Sequence, residues 1–196
     1  MLVIPRECFF EVDLDKPIEI KRRFDLAISI EVAEHLSKNI AVEFIKTLTC
    51  ASDIVLFSAA IPFQGGTNHI NEQWPEYWNN IFKTYNYVAV DCMRKKFWAN
   101  NEVLDFHKQN ILLYVNKERL KELYVSENDI CTDYPPMALI TPDRYLRLID
   151  REKKLIDKQF DLPYLMKRII VSGTRKILGR ILYEKLRLNI HRIFRK

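Results

Sequence analysis

Apolar residues along the chain fall into short blocks separated by polar breaks, and the blocks differ in period. Residues 26–30 (Leu-Ala-Ile-Ser-Ile) form a compact apolar run. Such a run reads as a strand buried on both faces of a parallel sheet. Residues 53–61 (Asp-Ile-Val-Leu-Phe-Ser-Ala-Ala-Ile) predict a second buried strand, stopped by Pro62. Between them, Ile40, Ala41, Phe44, Ile45 and Leu48 keep helical spacing. They predict a helix over about 38–48, with Ser37 as its N-cap. Residues 8–14 also read as a strand, ending at Asp13 and followed by the turn Asp15-Lys16-Pro17. Further on, the pattern predicts a helix over 76–84, a strand at 87–90, irregular or helical chain at 94–107 and a strand at 110–115. The last two strands are close enough to pair antiparallel at a sheet edge. Beyond 116 the chain turns polar, with a break at Tyr134-Pro135-Pro136 and a short helix over about 142–158.

This alternation places three ionisable groups at one spot. The strand at 26–30 stops at Glu31, Glu34 and His35, and open α/β sheets bind ligands just beyond the carboxyl ends of their strands. If Glu31 opens a helical turn, Glu34 and His35 share its face. After the second strand comes a polar, aromatic loop that holds Gly65, Gly66, His69, Asn71, Glu72 and Trp74. Long loops at the ends of core strands commonly carry function.

Composition narrows the class. Nearly half of the 196 residues are apolar, enough for a core. Cys8, Cys50, Cys92 and Cys131 are widely spaced, which points to reduced thiols in a cytosolic protein rather than a disulfide scaffold or zinc knuckle. No apolar run approaches the roughly 20 residues of a membrane-spanning helix. The net charge of +5 hides a division. Residues 164–196 hold ten Lys or Arg against one acid, a local balance of +9, which leaves −4 for the rest. The acidic body argues against a nucleic-acid partner. The basic tail has amphipathic spacing suited to an anionic membrane surface, and equally to packing on the body. Asp105, His107 and Cys92 carry no nucleophile signature.

The order of strand and Asp13, strand and Glu31-x-x-Glu34-His35, strand and Pro62 with its loop, then an antiparallel hairpin, resembles the second half of a class I S-adenosylmethionine-dependent methyltransferase. Residues 24–36 resemble the family's fourth strand and turn, Phe57-Ser-Ala-Ala-Ile-Pro62 its fifth strand, and residues 68–78 the substrate-side loop of bacterial members. The likeness covers about residues 8–116. It implies an α/β fold: a partial Rossmann-like methyltransferase sheet with an antiparallel end hairpin, plus a C-terminal helical extension. The expected domains are 1–116, 117–163 as a polar connector with a short helix, and 164–196 as a basic tail. No glycine precedes Gly65, so the glycine-rich cofactor turn and the first two strands have no counterpart, and an N-terminally truncated chain is expected. Without those strands, the strand at 26–30 becomes a sheet edge.

The resemblance implies S-adenosylmethionine as cofactor, with Asp13 and Leu14 at the adenine and Glu31 also on the cofactor side. It implies O-methylation of a sugar or other small hydroxyl compound in the cytoplasm, at the inner face of the membrane if the tail binds there. In members that methylate ribose or catechol hydroxyls, a Glu-x-x-Glu-His turn binds a divalent metal. Glu31, Glu34, His35 and His69 are the corresponding ligands, for Mg, Mn, Fe or Zn, with Glu34, His35 and His69 as the catalytic group. The plain alternatives stand beside these: a turn-opening Asp13, acids favouring a helix dipole, a hydrogen-bonded His35, and an exposed loop His69. Asn71, Glu72, Trp74, Tyr77 and Trp78 are candidates for an acceptor pocket, with packing of the following helix as the preferred reading for Tyr77 and Trp78 and Trp74 left open. A non-catalytic remnant that binds a partner or a membrane is the alternative function.

Overall fold

The computed structural model describes residues 4–16, 18–131 and 137–161. Residues 4–144 belong to one compact unit, and residues from Tyr145 onward belong to a second. The first unit is a mixed α/β fold around four strands: β1 (Ala27–Ile30), β2 (Ile54–Ser58), β3 (Tyr87–Val90) and β4 (Leu112–Asn116). Their order is β1-β2-β4-β3. The β1–β2 pair is parallel, and β4 runs antiparallel to both its neighbours. A parallel pair needs a crossover, and α1 (Lys38–Ala51) supplies it.

The core lies on one face of the sheet. Val55, Phe57, Leu112, Tyr114, Tyr87 and Ala89 alternate inward. Helix α1 meets them with Ala41, Ile45 and Leu48, the i, i+4 stripe visible in the sequence. Ser37 stands at the N-cap, but its hydroxyl makes no capping bond. Helix α2 (Pro75–Thr84) begins on Pro75, whose missing N–H costs nothing at the first turn. Its Trp78 and Phe82 are buried. Phe57 meets both rings at 5.4 Å, and Phe82 stacks on Tyr114 at 3.8 Å. Trp78 and the half-buried Tyr77 therefore pack the helix onto the sheet.

The opposite face is covered only in part. Helices α3 (Cys92–Phe97) and α4 (Asp105–Asn110) lie against β4 and β2 and bury Val90 and Val115. On this face Ile28 of β1 is 61% exposed, while Ser29 faces the core. The expectation of a strand buried on both faces is thus corrected: among the described residues β1 pairs with β2 alone and is a half-covered edge. The strand expected at 8–14 is also absent. A 3-10 turn over Arg6–Cys8 leads into extended chain with no ladder partner, and Phe9, Phe10 and Val12 are exposed. An isolated segment has no neighbour to satisfy its backbone groups, so pattern alone cannot make it a strand.

The chain after β4 stays with the sheet through residue 131. It forms α5 (Lys117–Leu120) and a 3-10 turn at Glu127–Asp129. Asp91 N donates to Asp129 O at 2.6 Å, and Cys131 N to Ala89 O at 2.8 Å. Met137 is buried in the same core. The four cysteines are free thiols, and burial pushes Cys131 up to about 11. Helix α6 (Pro142–Phe160) starts in the first unit and continues into the second. No helix among the described residues is long and apolar enough to cross a membrane. The break at 134–136 and the tail at 164–196 lie outside the described residues.

Candidate functional site

Just past β1 the backbone turns sharply. Glu31 has φ +52°, a left-handed conformation that a side chain adopts at a cost of about 1–3 kcal/mol. What holds it there is a clamp. Its amide donates to Ser58 O at 3.1 Å, and its carboxylate accepts from Ser58 Oγ at 2.8 Å. The carboxylate also accepts from Gln64 Nε2 at 2.7 Å and from Asn110 Nδ2 at 3.3 Å. Asn110 Nδ2 donates to Gln64 Oε1 as well, at 2.9 Å. Glu31 thereby ties together the tips of β1 and β2, the following loop and the end of α4. With its oxygens so engaged, it stands apart from the three-residue cluster formed by its neighbours.

Glu34 behaves differently. It lies in a 3-10 turn (Ala33–His35), and its carbonyl accepts from the amides of Ile70 and Asn71, both at 3.0 Å. These bonds stitch the loop after β2 onto the turn after β1. The Glu34 side chain points inward and is fully buried, yet neither carboxylate oxygen has a hydrogen-bond partner. Burial pushes its carboxyl above the usual range. Its own backbone amide opposes the rise most, Glu31 adds to it, and His69 and His35 oppose it.

The loop returns His69 to this carboxylate, with Nε2 3.9 Å from Glu34 Oε1. His35 and His69 meet edge to face at 4.8 Å. One ligand atom from each of Glu34, His35 and His69 lies within 4.8 Å of the others. His35 is exposed on the rim, its Nδ1 3.3 Å from Asn68 O. On the far side of His69, Nδ1 lies 3.0 Å from Glu72 Oε1. Burial works against ionising Glu72. The bonds from His69, Gly65 N and Phe63 N outweigh it and hold the carboxyl below its ordinary value.

The loop is shaped for this. Phe63 and Asn68 have positive φ without being glycine, as Glu31 does, so three strained residues surround one cluster. Gly66 lies against the imidazole: a Cβ there would sit 2.2 Å from His69 Nε2. Replacing Gly66 with alanine is therefore expected to displace the ring. The loss should be about 1–3 kcal/mol of stability and about 10–100-fold in any metal affinity, read by denaturant unfolding and a chelator competition.

Asp13 and Leu14 are placed elsewhere. Asp13 caps a turn, accepting from Asp15 N at 3.1 Å and pairing with Lys16 at 2.9 Å. The hydrogen bond from Lys16, then that from Asp15, holds its carboxyl below the usual range. Leu14 tucks against Ile40 and Phe44 beside a cavity of only about 20 Å³. No hydrogen bond or ion pair joins Asp13 to Glu31, Glu34, His35 or His69. A concavity of about 530 Å³ opens at the other ends of the strands, where Arg23 pairs with Asp53 and Arg119 with Glu122. It is separate from the cluster.

Sequence reading missed the parts that act across long separations. Nothing local marks Ser58, Gln64 and Asn110 as the Glu31 clamp. The Gly65-Gly66 pair was a visible signal of tight backbone, though not of which side chain it approaches. Compared with protein-family models, curated proteins and solved structures, the chain finds no match.

Proposed function

We propose that this chain is a metal-assisted S-adenosylmethionine-dependent O-methyltransferase of the class I type, acting on a hydroxyl of a sugar or other small molecule. The observation that carries the metal part is the Glu34 carboxylate: fully buried, with both oxygens unpartnered and a histidine nitrogen 3.9 Å away. A buried carboxylate without a partner is costly, and a cation is one of the few groups that offset it. Glu34, His35 and His69 offer one oxygen and two nitrogens, a set that suits Zn, Fe or Mn better than Mg once Glu31 is engaged elsewhere. When bound, such an ion supplies Lewis acidity that lowers the pKa of a coordinated hydroxyl. The chain's own residues orient the acceptor. Trp74, 40% exposed, and Ile70 and Phe63, still more exposed, lie on the same loop as His69 and offer apolar surface beside it.

Two features support the methyltransferase part. The parallel β1–β2 pair and the antiparallel β3–β4 hairpin are consistent with the fourth strand, fifth strand and end hairpin that the resemblance implies. The cluster also lies beyond the carboxyl ends of the parallel strands. The adenine contact proposed for Asp13 and Leu14 fits less well. Asp13 is engaged with Lys16, and Leu14 packs on α1. That misfit favours, as the second reading, a non-catalytic protein that binds a partner or an anionic membrane through its basic tail.

Calorimetric titration of S-adenosylmethionine into the zinc-loaded full chain separates the two. Micromolar binding is the expected result, and no heat at millimolar cofactor would leave the binding protein. Elemental analysis is expected to find about one divalent ion per chain, lost in Glu34→Ala. Unchanged metal content in that variant removes the centre.

A further inference from the structure

We infer that Glu72 is a positioning residue of the cluster: it holds His69 as the Nδ1–H tautomer and so presents the Nε2 lone pair to the space facing Glu34. The use of that lone pair by a metal rests on the function proposed above. The tautomer does not, because it is a property of the metal-free protein.

The geometry gives the reasons. An ionised carboxylate is an acceptor only, so the proton shared over the 3.0 Å between Glu72 Oε1 and His69 Nδ1 belongs to the ring. Glu72 cannot swing away freely. Its Oε2 accepts from Phe63 N at 2.7 Å, and its Oε1 from Gly65 N at 2.8 Å. Both donors are backbone groups, and both bonds are charge-assisted. His69 is hemmed in on its other sides. The Gly66 backbone crowds the Nε2 edge, and the His35 ring stands edge to face at 4.8 Å. A half-turn of the imidazole would put carbon where Nδ1 now donates. With Nδ1 protonated, neutral His69 has one free lone pair, on Nε2, 3.9 Å from an unpartnered Glu34 oxygen. Two electron-rich atoms left facing one another make sense as two corners of a cation site. A carboxylate that fixes the tautomer of a ligating histidine is a general way of tuning such a site.

A Glu72 that merely tied the loop together would not care which nitrogen bears the proton. That difference is the test. Long-range nitrogen–proton correlation spectra of the metal-free full chain, taken at a pH where His69 is neutral, assign the tautomer. The expected result is a protonated Nδ1 and a bare Nε2 in the wild type. Glu72→Ala is expected to shift the ring toward the Nε2–H form and to weaken zinc binding about 10–100-fold in a chelator competition with zinc sulfate. An Nε2–H tautomer in the wild type overturns the inference, as does a folded Glu72→Ala that leaves the tautomer unchanged. The wild-type spectrum decides even if the alanine variant fails to fold. It also decides if the wild type takes up no zinc, a result that would count against the metal reading alone.

Discussion

Replacing Glu34 with methionine is expected to stabilise the metal-free protein at pH 8 by about 1–3 kcal/mol while abolishing its response to zinc. The two effects have opposite signs, which is unusual for a core substitution. The reason lies in the burial of the carboxylate without a partner. Methionine fills similar volume with apolar, adaptable atoms and leaves nothing unsatisfied. The wild type should regain the difference only when zinc is added, by about 2.7 kcal/mol at a hundredfold excess over Kd. A pH series adds an independent signature. Burial raises the Glu34 carboxyl above the ordinary glutamate value of 4.5. Between that value and the raised one, the folded chain keeps a proton that the unfolded chain has lost. The folded state then binds more protons, so stability falls as pH rises through this window. The lowered Asp13 and Glu72 carboxyls act the other way, losing stability as pH falls. Subtracting the Glu34→Met curve from the wild-type curve isolates the Glu34 contribution. Urea unfolding from pH 4 to 9 measures both. A methionine variant that is less stable than wild type across this range would show that the carboxylate is well partnered and that the site is an ordinary core.

Replacing Arg94 with alanine is expected to cost about 3–5 kcal/mol, the largest loss from any single change considered. The side chain is 3% exposed. It grips Asp91 at both oxygens, Nε to Oδ1 at 2.8 Å and Nη2 to Oδ2 at 2.7 Å. Its Nη1 donates to Met137 O at 2.6 Å and to Gln109 O at 3.3 Å. One guanidinium thus joins the end of β3, α3, α4 and the segment at 137. Removing it leaves the Asp91 charge and two carbonyls without donors, and that uncompensated remainder is what makes the change severe. Lysine keeps the charge but not the planar fork, so Arg94→Lys should recover only part of the loss. Against a typical domain stability of about 5–15 kcal/mol, the alanine change takes about a fifth or more. Guanidinium unfolding at neutral pH measures it. A loss below about 1 kcal/mol, the range of exposed ion pairs, would mean that solvent reaches the pair.

Much of this architecture can be read along the chain. The strand at 87–90 and the helix on Trp78 and Phe82 sit where their patterns put them. So does the α1 stripe of Ala41, Ile45 and Leu48. Spacing within ten or fifteen residues is local, and a helix or a short buried strand shows it directly. His69 was joined to Glu34 and His35 only through the family resemblance; the folded chain sets its Nε2 3.9 Å from Glu34 Oε1.

Partnership is not local, and there the amino-acid order was silent. Residues 8–14 have a strand's composition but no neighbouring strand to bond, so they join no ladder, and all but Leu14 are exposed. Ile28 is 61% exposed although it lies in an apolar run, because β1 pairs with β2 alone among the described residues. Glu31 and Glu34 look alike three positions apart, yet one is consumed by Ser58, Gln64 and Asn110 and the other is left buried and bare. Which carboxylate remains free to take a ligand depends on which distant donors the fold carries to it. That could be known only once the chain had closed on itself.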